Sequence, residues 1–173
     1  IDEDTAAVCR AGTVEVLGIS AVLVIDVAAA KAAGELSWSS ADGLRAKGVL
    51  LHYLEEGDRY DLATREPLPR PERRSVATGQ EANGDYPMET NIFAPDAFRG
   101  MMVEGMAENR KGVTTGISFT IDERGRGTGS LWTLRRAERF AGLYAAIQDA
   151  DTHSVIHVSL EVQPVSLRLK KIR

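Results

Sequence analysis

The chain has 173 residues, with 21 Lys and Arg against 25 Asp and Glu, a net charge of −4 and 43% hydrophobic residues. This is the composition of a globular domain that is long enough to bury a core. A single Cys excludes an intramolecular disulfide framework and a Cys-rich zinc site, and the mildly acidic charge argues against nonspecific nucleic-acid binding. No apolar run approaches the ~18 residues that span a bilayer. We therefore expect neither a nucleic-acid nor a membrane partner.

The compartment is predicted from the first residues and the lone cysteine. The chain does not start with a basic segment followed by an apolar one, as a secretory signal peptide would. Cys9 lies in an amphipathic stretch, which is typical of a small buried residue and not of a nucleophile. Together these features predict a cytoplasmic protein.

In the first third of the chain, the hydrophobic spacing predicts helices that alternate with strands. Apolar residues at helical spacing and an acidic cap predict a helix over Asp2 to Val16. The β-branched run Ile19 to Val27 predicts a buried strand, and Leu36 to Ser39 predicts a second one. Between them, Ala28 to Ala33 fits a short helix or a loop. A second helix is predicted over Asp42 to Leu54.

The middle of the chain predicts a long loop over residues 66–90. Pro67, Pro69 and Pro71 lie within five residues, a spacing that regular helix or central strand does not tolerate. Arg70, Arg73 and Arg74 in the same stretch are expected to form a solvated surface, although they could also meet an acidic partner.

The second half predicts one helix and several strands. A helix is expected over Ala94 to Asn109 and a half-buried strand over Ile117 to Ile121. Thr128 to Leu134 fits either a strand or, with Ser130 as a cap, the start of a helix that ends at Ile147. Val155 to Val162 alternates as a strand that Pro164 interrupts. These elements predict an α+β fold, mostly antiparallel sheet with flanking helices, as one domain over 1–150 and a strand-rich extension over 151–173.

A glycine-rich string provides the sharpest local motif. Arg124-Gly125-Arg126-Gly127-Thr128-Gly129 follows a predicted strand. Glycines let backbone N–H groups converge on an anion, and a helix start adds a positive dipole end. The string resembles the phosphate-binding turn of GCN5-related N-acetyltransferases. That resemblance implies an acetyl-CoA-dependent enzyme in which Arg124, Gly127 and Gly129 bind the cofactor.

A second resemblance covers more of the chain, from about Asp4 to Asp149. Its pieces are Val16-Leu17-Gly18-Ile19-Ser20, Leu36 to Asp42, His52 to Gly57 with Glu66-Pro67-Leu68, Phe93 to Ala97, and the hairpin-like Ile117 to Phe119 with Gly127 to Leu131. In this order they resemble a GAF-type sensory domain. The resemblance implies GAF- or PAS-like layering, and a small-molecule pocket between the sheet and the helices.

The residues expected in that pocket are aromatic, imidazole and Met side chains. Such pockets are mostly apolar with a few convergent polar groups, although the same residue types are also typical of an ordinary core. The candidates by position are Trp38, His52, Tyr53, Tyr60, Phe98, Met102, Met106 and Phe119.

We expect neither a metal site nor an evident catalytic constellation. His153 and His157 would share a face if they lay on a helix, but the alternation around them favours a strand, on which they lie about 13 Å apart. That distance is too long for one ion. Whether the protein is an enzyme therefore stays open.

From these features we expect a small-molecule-binding sensory or regulatory domain that needs no cofactor. The alternatives are the N-acetyltransferase, with acetyl-CoA, and a structural subunit of an oligomeric assembly. The expected partners are a small-molecule ligand and a second copy or larger assembly that pairs through the C-terminal strand Val155 to Val162. Thr128 to Leu134 discriminates between the first two, because the sensory domain needs a strand there and the acetyltransferase needs a helix.

Overall fold

The computed structural model describes residues 1, 4–39, 43–76, 82–123, 125–147 and 150–168. These residues form β1 (Thr5–Arg10), β2 (Thr13–Gly18), β3 (Ala21–Asp26), α1 (Ala28–Ala32), β4 (Leu36–Ser39), β5 (Gly43–Glu55), β6 (Arg59–Asp61), β7 (Glu66–Leu68), β8 (Arg74–Ser75), α2 (Ala97–Met102), which continues as a π-helix (Val103–Ala107), β9 (Val113–Ile121), β10 (Arg126–Ile147) and β11 (Ala150–Arg168). Within the described ranges, no helix has the length and apolarity needed to cross a membrane.

The strands form two antiparallel sheets. The small sheet has the order β1-β2-β6-β7. The large sheet has the order β3-β5-β11-β10-β8, with β4 on the first half of β5 and β9 on the first half of β10. The long hairpin of β10 and β11 therefore forms the middle of the molecule.

Two apolar cores lie on opposite faces of the large sheet. The core between the two sheets contains Val16 and Tyr60 from the small sheet and Val22, Leu54 and Ile156 from the large one. The larger core lies on the other face, where α1, α2 and the π-helix cover the sheet. Its largest fully buried side chains are Leu51, Ile92, Met101, Met102, Met106 and Leu134.

The α+β fold with flanking helices in GAF- or PAS-like layering, predicted from the sequence, is wrong, because the chain is mostly antiparallel strand. The predicted N-terminal helix is the β1–β2 hairpin. Its turn, Ala11-Gly12, has positive φ at both residues (48° and 81°), as a two-residue hairpin turn of type I′ requires. The predicted helix over Asp42 to Leu54 is the strand β5, which pairs with β3, β4 and β11.

Other predicted elements are confirmed. Strands form at 21–26, 36–39 and 113–121, and a helix forms within 94–109 as α2 and the π-helix. The loop predicted over 66–90 contains the short strands β7 and β8. The segment predicted as a C-terminal extension provides β11, which pairs with β10 on one side and β5 on the other. Val155 to Val162 therefore presents no open edge in this fold, and assembly through it stays a prediction.

Candidate functional site

Two β-bulges coincide in the middle of the long hairpin. On β11, Val155 pairs with Tyr53 and Val158 with Leu51, so β11 carries one residue more than β5 over this stretch. On β10, Arg136 pairs with Val158 and Ala141 with Ile156. The four residues 137–140 therefore face the single residue His157 across the hairpin. Bulges of this kind interrupt the ladder and redirect side chains, and they are common beside binding sites.

His157 adopts an unusual conformation at this point. Its φ is 54°, in the left-handed region that costs a non-glycine residue about 1 kcal/mol or more. The bulge removes its main-chain N–H from the ladder, and the Nδ1 atom of His52 accepts that N–H at 3.2 Å. His52 is fully buried, and the two imidazole rings meet edge to face with centroids 4.9 Å apart. The His52 ring thus stabilises the bulge from behind.

The turn between β6 and β7 approaches the bulges from the small sheet. Asp61 Oδ1 accepts the main-chain N–H groups of Ala63 and Thr64, both at 2.8 Å, which fixes the turn. Glu66, which follows the turn, accepts a hydrogen bond at Oε1 from Arg139 Nη1 in the β10 bulge, at 2.7 Å. Its other oxygen, Oε2, lies 3.6 Å from His157 Nε2.

A cleft of about 460 Å³ opens between this turn and the bulges. We call it the double-bulge cleft. It is lined by Asp26, Ala28, Ala29, Ala32, Leu50, Thr64, Arg65, Glu66, Ala137, Glu138, Arg139 and His157. Small alanine side chains of α1 leave this space open. At the end of β3, Asp26 accepts the N–H of Ala28 at Oδ1 (2.9 Å), and its Oδ2 lies 3.6 Å from Arg65 Nε.

Burial keeps both histidines uncharged near neutral pH. It lowers the pKa of His52 from 6.5 to about 4, an effect that the neighbouring His157 reinforces and that Asp26 and Glu66 oppose. Burial and then Arg139 lower the pKa of His157, against the opposing effect of Glu66. The hydrogen bond from Arg139 lowers the pKa of Glu66. The cleft therefore presents carboxylates, guanidinium groups and a neutral imidazole.

A second polar cluster holds the proline-rich segment against the sheet. Asp58 and Arg73 form an ion pair at 2.8 Å in which neither side chain is exposed. Asp58 also accepts hydrogen bonds from the N–H groups of Glu55 and Arg70 and from the Ser154 hydroxyl. This carboxylate has a donor on every side, so we interpret the cluster as structural.

The predicted pocket residues do not converge on one site. His52 and Tyr60 lie together between the sheets, with ring centroids 5.6 Å apart, just behind the double-bulge cleft. Met102 and Met106 are buried in the larger core on the other face. The remaining four have different surroundings. Tyr53 and Phe98 line a separate groove of about 840 Å³. Trp38 is 73% exposed and Phe119 41% exposed. A ligand contact by any of the eight stays a prediction.

Arg126 to Gly129 of the glycine-rich string form the start of the β10 strand. Gly127 pairs with Ile121 on β9 and Leu167 on β11, and Gly129 pairs with Phe119 and Val165. Thr128 to Leu134 is thus a strand, and the helix that the acetyltransferase resemblance requires does not form there. Arg124, the third residue predicted to bind the cofactor, lies outside the described residues.

Sequence reasoning missed most of the cleft. Asp26, the adjacent pair Arg65 and Glu66, and Arg139 come from three distant parts of the chain, and no local motif connects them. The sequence pattern suggests a role for His157 only as a metal ligand together with His153. Among the described residues, no group of three or more His, Cys, Asp or Glu side chains is placed to hold a metal. In the alternating pattern of Val155 to Val162, His157 occupies an ordinary polar position, so the sequence does not distinguish it from Ser159 or Glu161.

Comparison with known proteins gives no match: no family model fits the sequence, and no curated protein or solved structure matches it. The functional argument for this chain therefore depends on its own residues.

Proposed function

We propose that this protein is a binding module for a small polar molecule, which it holds in the double-bulge cleft. The observation that carries the proposal is His157, a buried and strained residue at the wall of an open cleft. The left-handed conformation of a residue other than glycine destabilises the fold. Strain of this kind is concentrated at functional sites. Here two bulges and the buried His52 together keep that residue in place.

The position of the cleft supports a sensory or regulatory role. One wall, Thr64 to Glu66, belongs to the turn of the small sheet, and the opposite wall belongs to the bulges of the large sheet. A ligand in the cleft would contact both sheets and stabilise their packing. Binding would therefore change the stability of the β6–β7 turn, which is a physical basis for signalling occupancy. The cytoplasmic location expected from the sequence remains part of this proposal.

The test is a thermal-unfolding screen of polar metabolites, acetyl-CoA among them, with two histidine variants. His157→Asn removes the imidazole from the cleft, and Asn tolerates the left-handed region well. His153→Asn is the matched control, because His153 is equally buried on the same strand, bonds to Glu108 and does not line the cleft. A ligand at a hundredfold excess over Kd stabilises the native state by ~2.7 kcal/mol.

We expect at least one compound to stabilise the wild-type protein and the His153→Asn variant but not His157→Asn. A compound that stabilises all three equally binds elsewhere and contradicts the proposal. Stabilisation by acetyl-CoA, independent of His157, would favour the acetyltransferase alternative. No response to any compound, together with a large assembly by mass in solution, would favour the structural-subunit alternative.

A further inference from the structure

The charged groups of the double-bulge cleft are arranged by depth. Towards the interior lie Asp26 and His157, whose side chains are 15% and 8% exposed. At the mouth lie the guanidinium groups of Arg65 and Arg139, which are 57% and 65% exposed. The Glu66 side chain, 34% exposed, lies between these levels. The exposed carboxylate of Glu138 also lies at the mouth, so a ligand that enters the cleft meets two guanidinium groups and one carboxylate first and the inner acceptors behind them.

The inner acceptors lack close donors. Asp26 Oδ2 has Arg65 Nε at 3.6 Å, and Glu66 Oε2 has His157 Nε2 at 3.6 Å, both beyond the normal N–H···O length. The second oxygen of each carboxylate already has a donor, from Ala28 and Arg139 respectively. Each carboxylate therefore presents one oxygen to a donor that a ligand would supply. A primary ammonium group, with three N–H donors, suits this region.

The mouth favours an anionic group at the other end of the ligand. Arg139 uses Nη1 for Glu66, and a guanidinium group has five N–H donors in a planar fork that matches a carboxylate. The cleft also has an apolar wall, formed by Ala28, Ala29, Ala32 and Leu50. That wall is suited to a short hydrocarbon side chain.

We infer that the cleft binds an amino acid with a short aliphatic side chain, its ammonium group at Asp26 and Glu66 and its carboxylate at Arg139. This inference rests on the proposed function and names the ligand class for the same site. A zwitterion adds no net charge to the cleft, whose lining contains three carboxylates and two guanidinium groups. A molecule with only one of the two charges leaves one end of the cleft without its partner.

The experiment measures dissociation constants by calorimetry and follows the ring resonances of His157 by NMR. The probes are alanine, valine and leucine, and then two molecules matched to leucine: isoamylamine, which lacks the carboxylate, and isocaproic acid, which lacks the amine. We expect leucine to bind at least about tenfold more tightly than either, because a hydrogen bond to a charged group contributes about 1.5 to 3 kcal/mol.

Two cleft variants and one control test which residues bind the carboxylate and the ammonium group of the ligand. Arg139→Gln should reduce the preference for leucine over isoamylamine by about tenfold or more, and Asp26→Asn should reduce the preference for leucine over isocaproic acid. The control is Arg126→Gln. Arg126 is also an exposed arginine paired with a carboxylate, Asp122, but it lies at the start of β10 away from the cleft. Its substitution should leave all affinities unchanged.

The results separate this inference from the proposed function. Equal affinity for leucine and isocaproic acid, or a leucine affinity that Arg139→Gln leaves intact, would overturn the amino-acid inference. If no amino acid binds but another compound of the metabolite screen shifts the His157 ring resonances, the ligand class is wrong and the binding module stands. If no compound shifts them, both proposals fail.

Discussion

The buried imidazole of His52 should make the free energy of unfolding depend on pH, and the substitution His52→Asn should remove this dependence. Its pKa falls from 6.5 in the unfolded chain to about 4 in the fold, so the unfolded state binds the extra proton first as the solution is acidified. The contribution of the neutral His52 to the free energy of unfolding is therefore fully present above about pH 6.5 and is lost as the pH falls towards 4. The full difference is about 3 kcal/mol, of which about 2 kcal/mol is lost between about pH 7.5 and pH 5.

The assay is urea unfolding at a series of pH values, for the wild-type protein and His52→Asn. Asn can present its amide oxygen close to the position of Nδ1 and so continue to accept the N–H of His157, but it does not titrate. We expect the two curves of unfolding free energy against pH to converge by about 2 kcal/mol between about pH 7.5 and pH 5. Because the other titrating groups are common to both proteins, the difference isolates His52. Parallel curves would refute this reasoning.

His52→Leu tests the hydrogen bond separately from the charge. Leucine retains much of the volume but cannot accept the His157 N–H, which is left buried without a partner at a cost of about 1 to 3 kcal/mol. We expect this variant to be less stable than His52→Asn at neutral pH. Hydrogen exchange should find faster exchange of the His157 amide in His52→Leu alone. Equal protection of that amide in both variants would mean that the bulge does not depend on His52.

Three further predictions concern the surroundings of the cleft and the core. Asp58→Asn leaves Arg73 buried without its counter-charge and should destabilise the protein by about 3 to 5 kcal/mol in urea unfolding, whereas Asp122→Asn, in an exposed pair, should change stability by less than about 1 kcal/mol. Gly142→Ala places a Cβ 2.7 Å from the Ala107 Cβ and should lower the unfolding free energy by about 1 to 3 kcal/mol, while Gly84→Ala, with open space around it, should not. Arg139→Gln removes the hydrogen bond that lowers the Glu66 pKa, so an NMR titration of that carboxyl should find its pKa higher than in the wild type; an unchanged titration would contradict the Glu66–Arg139 contact.

The sequence predicted several strands correctly, and its failure in β5 arises where a bulge shifts the alternation. In β5, Ala46, Val49, Leu51 and Tyr53 all contribute to the larger core. The spacing of three between Ala46 and Val49 arises at a register shift beside Gly48, whose φ is 73°. One extra residue in a strand thus produces a pattern that resembles helical spacing. Pairing between distant strands decides that this segment is a strand and not a helix, and hydrophobic spacing alone does not reveal that pairing.

The same effect concealed the candidate site. The four bulged residues of β10, Ala137, Glu138, Arg139 and Phe140, include strong helix formers, and they favour a helix as one interpretation of 130–147. In the fold they lie opposite a single residue of β11, which turns Arg139 towards Glu66. His157 reaches the cleft because of its own bulge, and His52 supports it from 105 positions away in the sequence. Composition indicates which of these side chains can bind a polar ligand, but only the register of β10, β11 and β5 brings them to one cleft.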